Sequence, residues 1–155
     1  MISGLTKKRE KELRKFTRLN GRFPVEFTIV HLYDGLPGIG WTPALTQNVS
    51  QEGICLEFVD IDEATLKYLH KENIHLSLRI NIPPDKPPIK AVCQLAWFHD
   101  SEEGEKYTLG LEFKSVAKKD IRQILTYAQW LHLAAKIAVL IFGVAIIVFF
   151  LNGFR

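Results

Sequence analysis

A chain of 155 residues, 47% of them hydrophobic, has room for one compact domain and a short appendage, which argues against two sizeable cores. Its two cysteines, Cys55 and Cys93, are isolated, lack CxxC spacing and sit inside apolar strand patterns, so free thiols in a reducing compartment are expected instead of a disulfide framework. The net charge of +3 is unevenly held: residues 7–22 carry eight Lys or Arg against Glu10 and Glu12, a local +6, which suits an anionic partner such as phosphate, nucleic acid or acidic lipid.

Within that basic stretch, Arg14-Lys15-Phe16-Thr17-Arg18 sets two arginines four residues apart. A guanidinium is a planar fork of donors that holds phosphate oxygens bidentately, grips the O6 and N7 edge of guanine, and stacks on a base. Such a pair could clamp one anionic purine ligand. A solvated basic helix accounts for the same letters, however, and Arg18 with Arg22 repeats the spacing.

From residue 23 onward the commonest signal is strict alternation. Phe23, Val25, Phe27 and Ile29 share one parity, as do Ile54, Leu56 and Phe58, then Ile74, Leu76, Leu78, Ile80 and Ile82, then Cys93, Leu95 and Trp97, and last Tyr107, Leu109, Leu111 and Phe113. Period two with one apolar face predicts half-buried antiparallel strands. Turn residues at 34–38, 48–53, 83–88 and 100–104 separate them. Residues 40–47 supply one more strand, with Pro43 implying an edge or a bulge. Six strands at this spacing predict a small barrel.

Between two of those strands, Asn48-Val49-Ser50 is formally a glycosylation sequon, yet with Gly53 it also spells N-x-S-x-x-G. It reads as a surface modification site, a ligand-binding turn or a plain loop. A short Asn, a hydroxyl and a glycine at a strand junction let backbone and small polar groups approach a base closely.

Two helices complete the pattern. Asp60 and Glu63 have capping-box spacing before a helix expected over residues 60–72. A second helix begins near residues 118–120, carries Ile121, Ile124, Leu125 and Ala128 at helical spacing, and meets no Pro or Gly before Gly143. Residues 137–151 form an uninterrupted apolar run, and residues 131–151 contain one charge, Lys136. About 20 mainly apolar residues cross a bilayer core, and Lys136 can extend its ammonium to the headgroups while Trp130 sits at the interface. A run apolar on every face would otherwise need a larger soluble domain to enclose it. Lys118, Lys119 and Arg122 precede the span, so the folded domain of a single-pass protein is expected on the cytoplasmic side. No apolar stretch opens the chain, so no signal peptide is expected, and the sequon reading of Asn48 weakens.

Catalytic signatures are sparse. The five histidines are dispersed, His70 and His75 are poorly spaced for joint metal ligation, and no HExxH, G-x-S-x-G, Walker or GxGxxG pattern occurs.

In this order, R-x-x-x-R, a first strand from Phe23, N-x-S-x-x-G, a strand with Trp97, and Leu109-Gly110-Leu111-Glu112-Phe113 before a helix resemble a PilZ domain. The similarity extends over roughly residues 13–130. It implies a six-stranded antiparallel β-barrel with a C-terminal helix, in this chain running on into a transmembrane helix. It also implies a non-enzymatic receptor for the bacterial second messenger cyclic di-GMP, without cofactor or metal. The resemblance gives Arg14 and Arg18 the role of the arginines that wrap over the ligand, and Asn48, Ser50 and Gly53 that of the motif meeting its other side, with Arg22 as an auxiliary cation. The expected organisation is a basic segment over 1–22, a PilZ-like barrel and helix over 23–130, and a transmembrane helix over 131–152. The expected partners are cyclic di-GMP, membrane lipid and an unidentified protein effector that receives the signal, with no DNA or RNA. The alternative is a PilZ-like adaptor that binds no nucleotide and recruits a protein to the inner membrane.

Overall fold

Alternation decides which side chains turn inward. In the computed structural model, which describes residues 17–30, 40–82, 86–100 and 106–153, Val25, Phe27 and Ile29 of β2 (Pro24–Val30) point into a shared core, with Glu26 and Thr28 facing outward between them. The same period orders β5 (His75–Ile80), whose Leu76, Leu78 and Ile80 are wholly buried. The other strands are β1 (Leu19–Asn20), β3 (Thr42–Val49), β4 (Gly53–Phe58), β6 (Ile89–Asp100) and β7 (Tyr107–Ser115). The helices are α1 (Glu63–Leu69) and α2 (Lys118–Gly153).

All strand pairings are antiparallel. The sheet runs β3-β2-β5-β6-β7-β4 and closes through β4 on β3, a six-stranded barrel to which β1 adds a short seventh strand. Closure leaves the ring without an open edge. β1 and β2 lie along the same side of β3, with Asn20 opposite Asn48 and Pro24 opposite Leu45. In the gap between them the Thr46 hydroxyl donates to the Gly21 carbonyl and accepts from the Phe23 amide at 2.9 Å. Thr46 is itself completely buried, so one side chain satisfies backbone groups that the break in the strand leaves over. Among the described residues Pro43 pairs only with Glu26 of β2, because β4 joins β3 from Leu45 onward, so its missing N–H costs no ladder bond there.

The α1 cap differs from the expected one. Asp62, not Asp60, is the N-cap, with an extended backbone and a carboxylate that accepts from the Thr65 amide at 2.8 Å and from the Thr65 hydroxyl. The helix stops at Leu69, well short of residue 72, and Asn73 follows at φ 58°, a left-handed conformation that Asn tolerates better than most residues.

The base of α2 closes the barrel: Ile124 and Ala128 are fully buried, and Phe23 meets Tyr127 edge-on at 5.7 Å. Beyond residue 131 the same helix leaves the barrel, and Val139, Leu140, Ile141 and Phe142, which together circle its axis, are all exposed. It is long and apolar enough to cross a membrane. The turn residues at 34–38 and 101–104, residues 83–85 of the 83–88 turn, and Arg14 lie outside the described residues.

Candidate functional site

One groove of about 290 Å³ on the outer wall of the barrel is lined from four directions, by Arg18 just before β1, by Asn48 and Ser50 at the end of β3, by Gly53 and Cys55 of β4, and by Trp97, Gly110 and Glu112 of β6 and β7. Two interruptions in the strand registers create it. Thr46 pairs with Leu56 and Asn48 with Cys55, so Gln47 is an extra residue, a β-bulge. Without it, Asn48 would follow Thr42, Ala44 and Thr46 into the core. With it, Asn48 turns outward and Val49 takes the inward place, 1% exposed.

The second bulge does the same on the other flank. Leu95 pairs with Leu111 and Trp97 with Gly110, leaving Ala96 as the extra residue. The parity Cys93, Leu95, Trp97 would set Trp97 on the core face. The structure corrects this: Phe98 packs against the core and Trp97 stands 43% exposed at the groove. Its indole lies against Gly110, where a Cβ would meet the ring atoms at 2.1 Å, so only glycine leaves room for it.

The N-x-S-x-x-G residues shape a two-residue turn across Gln51 and Glu52. The Ser50 amide donates to the Gly53 carbonyl at 2.8 Å, and the Ser50 hydroxyl accepts from the Gly53 amide at 3.3 Å. Gly53 is required on its other side, since a Cβ there would sit 2.1 Å from the Leu111 carbonyl oxygen of β7. The motif's serine thus holds the turn, its glycine permits the close approach of β7, and the bulge presents its asparagine.

Arg18, Asn48, Ser50 and Gly53 therefore line one surface. Arg22 does not line it: its guanidinium donates to Glu57 Oε1 at 2.6 Å, and Gln47 Nε2 donates to Glu57 Oε2 at 2.8 Å. The Gln47 hydrogen bond holds the Glu57 carboxyl below its ordinary value, with help from the positive charges of Lys106 and Arg22. Burial pushes the Cys55 thiol up, opposed by the charge of Arg18. Cys93, deeper, is pushed up to about 12 by burial alone, an inert core thiol. No group of His, Cys, Asp or Glu among the described residues could hold a metal. The groove accordingly offers a cation, an amide side chain, a hydroxyl and a large aromatic face, groups suited to a phosphorylated purine.

Reasoning from alternation missed Trp97, Gly110 and Cys55 as groove residues. One signal was available: adjacent aromatics at 97 and 98 cannot both face a core across a regular strand.

Comparison with known proteins agrees with this architecture. No curated protein matches the chain by sequence. Among solved structures, the PilZ domain of YcgR from Escherichia coli, determined with c-di-GMP, superposes with a TM-score of 0.56 at 16% identity, covering 82% of this chain and 97% of that one. The Bacillus subtilis inhibitor of motility (MotI/DgrA) gives 0.54 at 20% identity, covering 78% of this chain, and the K. pneumonia MrkH–c-di-GMP complex gives 0.50 at 20% identity, covering 79%. This chain spans only about half of those last two proteins, 52% and 53% of their lengths. The PilZ domain signature matches residues 12–130, three-quarters of the sequence, and the chain belongs to the PilZ domain family.

Proposed function

We propose that the protein is a non-enzymatic receptor for cyclic di-GMP whose arginine segment closes over the groove and whose long helix anchors it in a membrane. The single observation that carries the reading is that Arg18 stands on the same groove as Asn48, Ser50 and Gly53, although thirty residues separate them in sequence. The ligand's phosphates suit Arg18 and Arg14, its guanine edges suit Asn48 on the turn that Ser50 and Gly53 hold, and a purine face suits the Trp97 indole. That YcgR and MrkH, of the same fold, were determined with c-di-GMP adds support. The arginines favour this reading over an adaptor that binds no nucleotide.

Anchoring is supported by the exposure of the apolar surface of α2 beyond residue 131, a surface that water would not tolerate over such a length. Lys118, Lys119 and Arg122 at its base favour the cytoplasmic side of the inner membrane. A relay to a protein effector is supported by one contact. Gly21, three residues after Arg18, packs so tightly on α2 that a Cβ there would lie 3.3 Å from both Cα and Cβ of Ala128. Any rearrangement of the arginine segment on binding two phosphates therefore bears directly on the helix that enters the bilayer.

Calorimetry with the full chain in detergent micelles at low salt tests the receptor reading. Saturable binding of cyclic di-GMP at micromolar or tighter affinity is expected. The absence of saturable heat from folded protein would refute it.

A further inference from the structure

One carboxylate outside the groove lining ties the arginine segment to one of the two bulges that shape the groove. The Glu57 side chain, 17% exposed, uses both oxygens: Oε1 takes the Arg22 guanidinium at 2.6 Å and Oε2 takes the Gln47 amide at 2.8 Å. Gln47 in turn accepts a weak bond from the Cys55 thiol at 3.6 Å, and Cys55 lines the groove. Arg22 belongs to the segment that carries Arg18, four residues away. Gln47 is the extra residue whose insertion turns Asn48 out of the core. Glu57 is not itself a groove residue.

Resting on the receptor reading above, we propose that Glu57 is a positioning residue for the ligand groove. It fastens the arginine segment through Arg22 and the bulge through Gln47, so that Arg18 and Asn48 stand at a fixed separation before any ligand arrives. The chemistry favours a carboxylate over any other side chain here. A carboxylate takes donors from two different segments on two separate oxygens, and its charge makes the bond to guanidinium charge-assisted and short. A negative charge close to a ligand with two phosphodiesters would ordinarily weaken binding, but the Arg22 ion pair neutralises it. Arg22 is thereby assigned to the scaffold, which leaves Arg18 to meet the ligand. Ordering both walls of a site beforehand removes part of the entropy that binding would otherwise have to overcome.

The test compares wild type, Glu57→Ala, Arg22→Ala, the double variant and the charge-exchanged Arg22→Glu/Glu57→Arg. Each is measured as full chain in micelles by calorimetry with cyclic di-GMP, by thermal melting, and by amide exchange without ligand. Glu57→Ala should weaken binding roughly tenfold while the melting point moves by only a few degrees. The double variant should bind about as weakly as Glu57→Ala alone, and charge exchange should restore most of the affinity. Without ligand, Glu57→Ala should speed exchange over Leu19–Asn20. Should alanine at 57 not fold, Glu57→Gln, which keeps the shape, is held to the same criteria with a smaller loss expected. Wild-type affinity in Glu57→Ala, or fully multiplicative losses in the double variant, would overturn the proposal. If wild type itself bound no cyclic di-GMP, the receptor reading would fail separately, and unchanged exchange over Leu19–Asn20 in Glu57→Ala would overturn the positioning role by itself.

Discussion

The β2–β5 pair and the two pairs that flank the groove are made from similar residues and do different things. Between β2 and β5 the register runs unbroken from Val25 opposite Ile80 to Val30 opposite His75, every inward residue is apolar, and the outer face carries Glu26, Arg79, Thr28 and Ser77. Arg79 there stacks over Trp41 at 3.7 Å and reaches Glu26 at 3.9 Å, an ordinary solvated wall. Between β3 and β4 an extra residue at Gln47 breaks the register, and between β6 and β7 one at Ala96 does so beside a second shift at Val92/Cys93; the extra residues at Gln47 and Ala96 exchange inside for outside. A regular strand pair builds a wall. A single inserted residue turns the same wall into a surface that presents Asn48 or Trp97, and the groove takes in both.

If that contrast is right, substitutions in the two regions should differ sharply. The largest effect is expected from Gly53→Ala. Its new Cβ would overlap the Leu111 carbonyl, a backbone atom that cannot step aside, so about 3 kcal/mol of stability should go and binding with it, as read by urea denaturation and calorimetry. Next comes Arg18→Ala, at a groove residue that on the proposed reading would meet the ligand phosphates. About a 10–100-fold loss of cyclic di-GMP affinity is expected at an unchanged melting point, the loss of charge-assisted hydrogen bonds to phosphate. Thr46→Val keeps the shape of the buried strand junction but strips the hydroxyl from the Gly21 carbonyl and the Phe23 amide, and should lower stability by about 1–2 kcal/mol.

Acid should act on the same side of the comparison. Glu57 and Asp62 are held below their ordinary values, 4.5 and 3.8, by the Gln47 bond and by the Thr65 bonds respectively. Because the folded values are the lower ones, both carboxylates stabilise the fold at any pH above those ordinary values, and that stability is lost as pH falls through the lowered folded values. Melting followed from about pH 6 to about pH 3 should show the decline, and Glu57→Gln with Asp62→Asn should flatten it. The smallest effect belongs to the wall: Arg79→Ala should change stability by less than about 0.5 kcal/mol and leave binding untouched. A loss at Arg79 comparable with that at Arg18 would erase the distinction between wall and groove.

The barrel was legible in the sequence because alternation is a direct record of the pleat. Val25, Phe27, Ile29, Leu76, Leu78 and Ile80 fall inward as their parity requires. The long helix was legible from its unbroken run of helix formers and apolar residues. What alternation could not show is where it stops. A bulge adds one residue without any required residue type, so parity set Trp97 on the core face while the strand, interrupted at Ala96, holds it outside. Asn48 was read as part of a turn and is instead the penultimate residue of β3, facing out because Gln47 precedes it. Arg22 could be read from spacing only as an alternative partner for Arg18; its bond to Glu57, thirty-five residues away, is a consequence of the fold. The α1 cap moved from Asp60 to Asp62 because two acidic residues in three positions offer the same chemistry, and only the backbone selects between them.

The groove contains one of only three tryptophans in the chain, so a variant with Trp41→Phe and Trp130→Phe reports on Trp97 alone. Titrating cyclic di-GMP into that full-length variant in micelles should change the Trp97 emission saturably at micromolar or lower ligand, and the change should disappear when Arg18→Ala is added. Emission that stays flat through millimolar ligand, from protein shown to be folded, would contradict the claim that the bulged wall is the nucleotide site.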